Sequence, residues 1–182
     1  MAGLGGMGGS GAGWQRAGAP SPRKAPPREG FVAIQRVVSP KIAEPKGKFS
    51  NAMRVGDLLF ISGQTGRHPD GTIGCKGDVV GQTRLAFSRV KALCEAAGAK
   101  MTDIVRLGIF CVQIADIEKI YSVWDEFFPG PPYPTDTFIG NVRLAHPELL
   151  VEIEATAAIP AKKPIKAKRK TAAKRRPLRR RR

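Results

Sequence analysis

Cysteine and histidine are scarce in this 182-residue chain, and their spacing argues against two kinds of site. The three cysteines, Cys75, Cys94 and Cys111, form no C-x-x-C pair, which disfavours a disulfide framework and a cysteine-rich zinc site. The histidines, His68 and His146, each have one acid two residues on but no third ligand nearby, so no metal site is expected. A ribonuclease-type acid–base pair would require the fold or a symmetry-related copy to bring them together. Reduced thiols predict a cytoplasmic protein.

Long apolar runs and phosphate-binding loops are missing as well. No stretch approaches the roughly 20 apolar residues that span a bilayer, and the N-terminus lacks the apolar core of a secretory signal. The chain has no P-loop with its lysine, and the glycines of Gly3–Gly13 lie in low-complexity sequence without a strand or helix around them. We therefore expect no membrane segment and no cofactor.

Positive charge is concentrated at the ends of the chain. Of the 31 Lys and Arg residues, thirteen lie in 161–182, which has no acid, while residues 31–160 carry fourteen bases and fourteen acids. This distribution predicts a disordered Gly/Ala/Pro-rich extension over 1–30, one domain over 31–160 and a disordered basic tail over 161–182. The acid-free start of the extension leaves an organellar leader as an alternative.

The basic tail allows two interpretations. Lys and Arg broken by Ala and Pro resemble a linker-histone tail, which would bind nucleic acid through phosphates without sequence preference. The alternative is a solubilising tail, since no aromatic residue is available there to stack on bases.

The middle of the chain predicts an α+β domain with the order β-β-β-α-β-α-β-β. Its best helix is 78–97, with Asp78 as N-cap and Gly98 as the stop, and a second helix is expected over 116–128. Strands are expected at 31–39, 52–64, 104–114, 137–144 and 149–159, with 52–64 forming a hairpin. Two helices on one face of a mixed sheet leave the other face uncovered, which predicts oligomerisation.

Candidate functional residues lie on the last two strands and after the hairpin. Side chains alternate along a strand, so Glu152 and Glu154 share one face, which is either a site or a solvated surface. Asp136 lies at the mouth of the preceding strand and is a third candidate carboxylate. Ser62 and Gly63 end a buried strand, where the glycine indicates a bulge or a close approach of a ligand or backbone.

Long collinear motifs give the middle of the chain a family resemblance. The segments FISGQTG, QTRLAFSRVKALCEAAGAKMTDIVRLGIFCVQIADIEKIYSVWDEFFPGPPYPT and VEIEATA occur in this order, and together they resemble the YjgF/RidA family. The resemblance implies a chorismate-mutase-like fold and a homotrimer with ligand clefts between subunits. It also implies hydrolysis of 2-imino acids and enamines, with an arginine holding the substrate carboxylate and a glutamate positioning water.

The resemblance assigns site residues one by one. Ser62 and Gly63 match the family's Ser-Gly lining, and Glu152 matches the water-positioning glutamate. Asp136 stands in the place of the arginine, and other departures from the family pattern occur at Phe49, Tyr121 and Phe138. Arg143 is an odd number of residues from Asp136 on the predicted strand, so it should face the other way.

These residues predict a protein that binds a small metabolite in clefts between subunits. Replacing the arginine by Asp136 predicts a non-standard site that favours a neutral or cationic ligand and disfavours 2-imino acid hydrolysis, since like charges repel. One alternative is an active imine deaminase of the 2-iminobutanoate/2-iminopropanoate type. The other is a trimer that associates with nucleic acid through its basic tails.

Overall fold

The computed structural model describes residues 32–160. The predicted N-terminal extension and the predicted Lys/Arg-rich tail, with its proposed nucleic-acid contacts, lie outside these residues.

A six-stranded mixed sheet forms the centre of the domain. Its spatial order is β1-β2-β3-β6-β4-β5, in which β4 and β5 are parallel and the other neighbours are antiparallel. The strands are β1 Ile34–Val37, β2 Ala52–Val55, β3 Leu58–Thr65, β4 Ile104–Cys111, β5 Thr135–Ile139 and β6 Val151–Ala158. The predicted α+β class with a mixed sheet is confirmed.

The long helix α1, Val79–Ala97, begins and ends where the sequence predicts. The Asp78 carboxylate accepts a hydrogen bond from the amide of Gly81 at 3.0 Å, which satisfies one of the unpaired amides of the first turn. Gly98 adopts a left-handed conformation with φ 84°, which favours glycine and ends the helix. The apolar face of α1 packs on β3 and β6.

The prediction of one continuous second helix over 116–128 is wrong. The chain forms two short helices, α2 Ile117–Tyr121 and α3 Trp124–Phe127. Between them, the amide of Val123 bonds to the carbonyl of Ile120, an i→i+3 contact that tightens the turn. Asp116 makes no cap hydrogen bond, and its carboxylate pairs with the Lys119 ammonium at 2.8 Å.

Both helical regions still cover the same face of the sheet, as predicted. The ring of Phe87 on α1 meets Trp124 and Phe128 edge-on, with ring centroids 5.8 Å apart in each case. Such aromatic pairs add to the burial of apolar area. They join α1 to the α2–α3 segment in one core.

The predicted strand over 137–144 is wrong at both ends. β5 begins earlier and stops at Ile139, and Asn141 takes a positive φ of 60°. The Asn141 side chain accepts a hydrogen bond from the Ile114 amide, which fixes this change of direction. The expected orientation of Arg143 depended on a continuous strand, so it does not hold.

The two faces of the sheet differ sharply in burial. Along β6, Val151, Ile153 and Ala155 are buried beneath α1, while Glu152 and Glu154 lie on the opposite face, as predicted. That opposite face exposes large apolar groups, among them Leu58 and Phe60, which is 45% exposed. No helix in the described part of the chain is both long and apolar enough to cross a bilayer.

We predict that Asp78→Ala lowers the free energy of unfolding by about 1 kcal/mol, because an amide of the first turn of α1 loses its acceptor. Asp116→Ala is the matched control, since Asp116 precedes a helix without capping it, and it should cost less than half as much. Urea unfolding followed by circular dichroism measures both. Equal losses would show that the Asp78 cap contributes nothing specific.

Candidate functional site

The Glu152 carboxyl group packs directly on the backbone of Gly63. A Cβ atom built on Gly63 would overlap the Glu152 carboxylate and lie 2.8 Å from its Cγ. Only glycine leaves room for this arrangement. Of the two interpretations that the sequence offered, the structure shows the bulge, and the group that approaches Gly63 is a side chain and not a ligand or another backbone.

An irregularity in β3 creates the space. The register between β3 and β6 shifts between Ile61 and Gln64, so Ser62 and Gly63 form a bulge beside the middle of β6. β6 is the central strand, and Glu152 is opposite Thr65 on one side and Phe110 on the other. The glutamate is therefore held by a rigid strand rather than by a loop.

Glu152 is electrostatically unusual for a carboxylate. Burial of the carboxyl group, and then the nearby Glu154, raise the pKa of Glu152 above its ordinary value. Within residues 32–160, no cation forms an ion pair with it, whereas Glu154 pairs with the Arg106 guanidinium at 3.0 Å. A half-buried carboxyl group with a raised pKa is suited to accept and return a proton.

A cavity of about 440 Å³ opens beside Glu152. Phe49 and Gly63, two of the predicted ligand-binding residues, line it together with Glu152. Several polar residues of this lining were not predicted from the sequence, namely Asn51, Gln64, Arg67 and Arg89.

The spacing of residues along α1 indicates that Arg89 is buried. Arg89 follows the buried Ala86 by three residues and precedes the buried Leu93 by four, so it lies on the face that points to the sheet. Gln82, one heptad earlier on the same face, is fully buried as well. Polar residues at buried helical positions indicate a hydrogen-bond network or a site.

Gln82 connects α1 to the segment that leads into β6. Its side-chain amide donates to the carbonyl of Glu148 at 2.7 Å, and its carbonyl accepts from the amide of Leu150 at 2.9 Å. Leu150 is two residues before Glu152. The helix therefore fixes where β6 starts and how the glutamate is presented.

Three other predicted ligand-binding residues lie together, away from the cavity beside Glu152. They are Tyr121, Asp136 and Phe138. The Tyr121 hydroxyl donates to Asp136 at 2.6 Å, and the rings of Tyr121 and Phe138 are 6.0 Å apart. Burial and the bond to Asp136 raise the pKa of Tyr121 to about 12. Asp136 and Phe138 are opposite Leu107 and Ile109, which face α1, so within one chain they are on the other side of the sheet from Glu152.

The structure also places Ser62, whose role in ligand binding stays a prediction, and Arg143. The Ser62 hydroxyl donates to the carbonyl of Ser50 at 2.7 Å, and the residue does not line the cavity beside Glu152. Arg143 lines a shallow depression together with Gly63 and Glu152, because the chain has already left β5 at Ile139. The sequence-based argument that Arg143 faces away from the glutamate is therefore wrong.

The described residues contain no group of three or more His, Cys, Asp or Glu side chains placed to hold a metal ion. Burial raises the pKa of the Cys94 thiol to about 12, so this cysteine is not a nucleophile at neutral pH.

We predict that Glu152→Gln stabilises the fold at neutral pH and loses this effect in acid. A raised folded-state pKa favours the protonated carboxyl, so its contribution to stability is present below the ordinary pKa of 4.5 and is lost as the pH rises through the folded-state value. Urea midpoints at pH 7 and pH 4 measure the difference. Glu126→Gln is the control with the opposite sign, because Arg84 holds the pKa of Glu126 low. A variant less stable than wild type at pH 7 would contradict the assignment.

Known proteins share both the sequence and this architecture. A YjgH protein of the RutC family from Escherichia coli is 40% identical over 114 residues, which cover 62% of this chain and 84% of that protein. A 2-iminobutanoate/2-iminopropanoate deaminase from Dermatophagoides farinae is 34% identical, covering 70% of this chain and 99% of its own length.

Solved structures agree with these relatives. TdcF of E. coli, crystallised with bound serine, has 30% identity and a TM-score of 0.63 over 68% of this chain and 98% of its own. The sequence model of the family described as Endoribonuclease L-PSP matches residues 40–159. The chain therefore belongs to the endoribonuclease L-PSP family, which is the YjgF/RidA family that its motifs resemble.

Proposed function

We propose that this protein binds a small metabolite in the cavity beside Glu152 and hydrolyses a carbon–nitrogen double bond there. The observation that carries the proposal is the position of Glu152, which is half-buried, lacks an ion-pair partner among residues 32–160 and packs on Gly63 at the cavity wall. The relative from D. farinae, whose name states imine deamination, supports this reaction class.

The chemistry requires one group that moves a proton twice. Glu152 accepts a proton from water while the water oxygen bonds to the imine carbon, and it passes this proton to the nitrogen, which has gained the C=N electron pair. Glu152 then accepts the hydroxyl proton of the resulting amino alcohol as the carbonyl forms, and it gives this second proton to the nitrogen as the C–N bond breaks. Imine and water thus become a carbonyl compound and ammonia, without a cofactor.

Asp136 was the reason to expect that this reaction is disfavoured. In the described chain its carboxylate accepts the hydrogen bond from Tyr121 and lies away from Glu152. The Tyr121–Asp136–Phe138 group therefore constitutes a separate half-site, which could meet Glu152 only across subunits. Binding of a neutral or cationic ligand without hydrolysis is the second candidate, favoured if this half-site completes the cleft.

Trimerisation is part of the proposal. The sheet face opposite α1 exposes Leu58 and Phe60, and a patch of this kind is favoured to bury itself against another copy. The clefts would then form where the Glu152 cavity of one subunit meets the surface of the next, and the residues that the next subunit contributes would decide between the two candidates.

We expect the full-length protein to hydrolyse an imine generated from an amino acid by an amino-acid oxidase, with the free imine measured by semicarbazide trapping. Glu152→Gln should lower the rate by about 100-fold, the size of a lost general acid–base contribution. Glu154→Gln is the matched control, since Glu154 is two residues along the same strand and pairs with Arg106. It should stay within about threefold of wild type, because it moves no proton.

No hydrolysis by the wild-type protein, or equal losses in the two variants, would overturn the proposed reaction. In the first case, ligand binding without hydrolysis becomes the function.

We predict a solution mass three times that of the 19.6 kDa chain in sedimentation equilibrium. Phe60→Lys should shift the protein toward monomer, because it buries an unpaired charge in the proposed contact. Tyr133→Lys, on the exposed loop before β5, is the control and should leave the mass unchanged. A monomeric wild-type protein would contradict the clefts between subunits.

A further inference from the structure

The basic tail, residues 161–182, carries most of the net charge of this protein. It contains thirteen of the 31 Lys and Arg residues and no acid, and the whole chain has a net charge of +16. Residues 31–160 carry fourteen bases and fourteen acids, so the domain itself is neutral. A block of like charges attracts a partner of the opposite sign. The carboxylates of the domain are the first candidates for that partner.

Most of these carboxylates are already engaged within the described part of the chain. Seven of them pair with a Lys or Arg of the domain. Asp70, Asp78 and Asp103 accept hydrogen bonds from backbone amides. The acids outside these two groups are Glu118, Asp125, Asp136 and Glu152. Even together, they would leave most of the thirteen cations of the tail without a counter-charge. The domain therefore cannot neutralise the tail.

The tail is attached at the end of β6 that is remote from Glu152. The amide of Ile159 donates to the carbonyl of Asp57 at 2.7 Å, in the turn between β2 and β3. Glu152 lies six residues before Ala158 on the same strand, a distance of about 20 Å at the rise of a β-strand. Neither Asp57 nor Ala158 lines the cavity beside Glu152. A large partner held by the tail would therefore not have to cover the cavity.

The tail also lies outside the part of the chain that the relatives share. The family model matches residues 40–159, and the deaminase from D. farinae is aligned over 99% of its own length but over 70% of this chain. A role for the tail therefore has to be argued from its own chemistry.

The composition of the tail fits a chain of phosphates better than a membrane surface. Seven of its thirteen cations are arginine, whose planar guanidinium group binds two phosphate oxygens at once. Ile165 and Leu178 are its only large apolar residues, and it has no aromatic residue. It therefore offers little to insert between lipids or to stack on bases. Contacts with phosphates alone carry no information about base sequence.

We propose that residues 161–182 bind nucleic acid through its phosphates, without sequence preference, and so hold the domain on that polymer. Each cation that meets a phosphate releases a counter-ion, so the affinity falls steeply with salt. This binding is independent of the proposed hydrolysis, because the tail is attached away from the cavity beside Glu152.

The test measures the fluorescence anisotropy of a labelled DNA duplex of about 20 base pairs, titrated with the full-length protein. Wild type should bind with a Kd of about 10 μM or tighter at about 150 mM salt. Raising the salt from about 50 mM to about 200 mM should weaken binding by about 1,000-fold or more, as expected for six or more phosphate contacts. A duplex of another sequence and a single-stranded RNA of the same length should bind within about tenfold of the first duplex, because all three present phosphates.

A triple variant of the tail tests which cations are responsible. Replacing Lys166, Lys168 and Lys170 by Gln should flatten the slope of log K against log salt by about 2 to 3, because each phosphate contact contributes about 0.9. The matched control replaces three exposed lysines of the domain that have no ion-pair partner among residues 32–160, which are Lys48, Lys91 and Lys100. Its slope should stay within about 0.5 of wild type. Circular dichroism checks that both variants keep the fold.

Four outcomes would overturn the proposal. Absence of binding at about 150 mM salt would leave a solubilising tail. Equal effects of the two triple variants would place the contacts elsewhere. A preference of more than about tenfold between the two duplexes would require base contacts. Tighter binding to vesicles of phosphatidylserine and phosphatidylcholine than to DNA would make a membrane surface the partner. Anisotropy requires no turnover, so a protein that hydrolyses no imine can still bind DNA, and the reverse.

Discussion

The candidate site depends on one contact, the packing of the Glu152 carboxyl group on the bare backbone of Gly63. The contact requires a bulge in β3, and a glycine within it, beside the central strand of the sheet. It keeps the carboxyl group half-buried and next to Glu154, and these two conditions raise its pKa. The position of the Glu152 carboxyl group and its raised pKa therefore both result from the pairing of β3 with β6.

Carboxylates lie on both sides of the sheet, and the order of the residues along the chain does not show this. Asp136 lies on β5, which is parallel to β4, and is opposite Leu107, so its side chain is directed toward the helices and meets Tyr121. Glu152 belongs to the antiparallel centre and faces the opposite way. The negative charges of Asp136 and Glu152 thus lie on opposite sides of the sheet within one subunit.

Much of the fold could be predicted from local patterns. The period of α1, its Asp78 cap and its Gly98 stop are all encoded within twenty-odd residues, and the alternation of β6 assigns Glu152 to its face. The break after Tyr121 and the end of β5 at Ile139 depend on tertiary contacts, such as the bond from Ile114 to Asn141. Arg89 was missed although its spacing from Ala86 and Leu93 assigns it to the buried face of α1, because charged side chains are ordinarily expected in solvent.

The single helix that carries both Gln82 and Arg89 fixes a distance along the cavity beside Glu152. Seven residues of α-helix rise by about 10 Å, and Gln82 fixes the segment that presents Glu152 while Arg89 faces the same cavity. Both the helix and the sheet have a fixed length here, since neither can stretch without breaking its own hydrogen bonds. The spacing between helix and sheet can therefore change little, whereas the remainder of the cavity wall, which includes Ala43, Phe49 and Asp70, is loop and is free to vary in length.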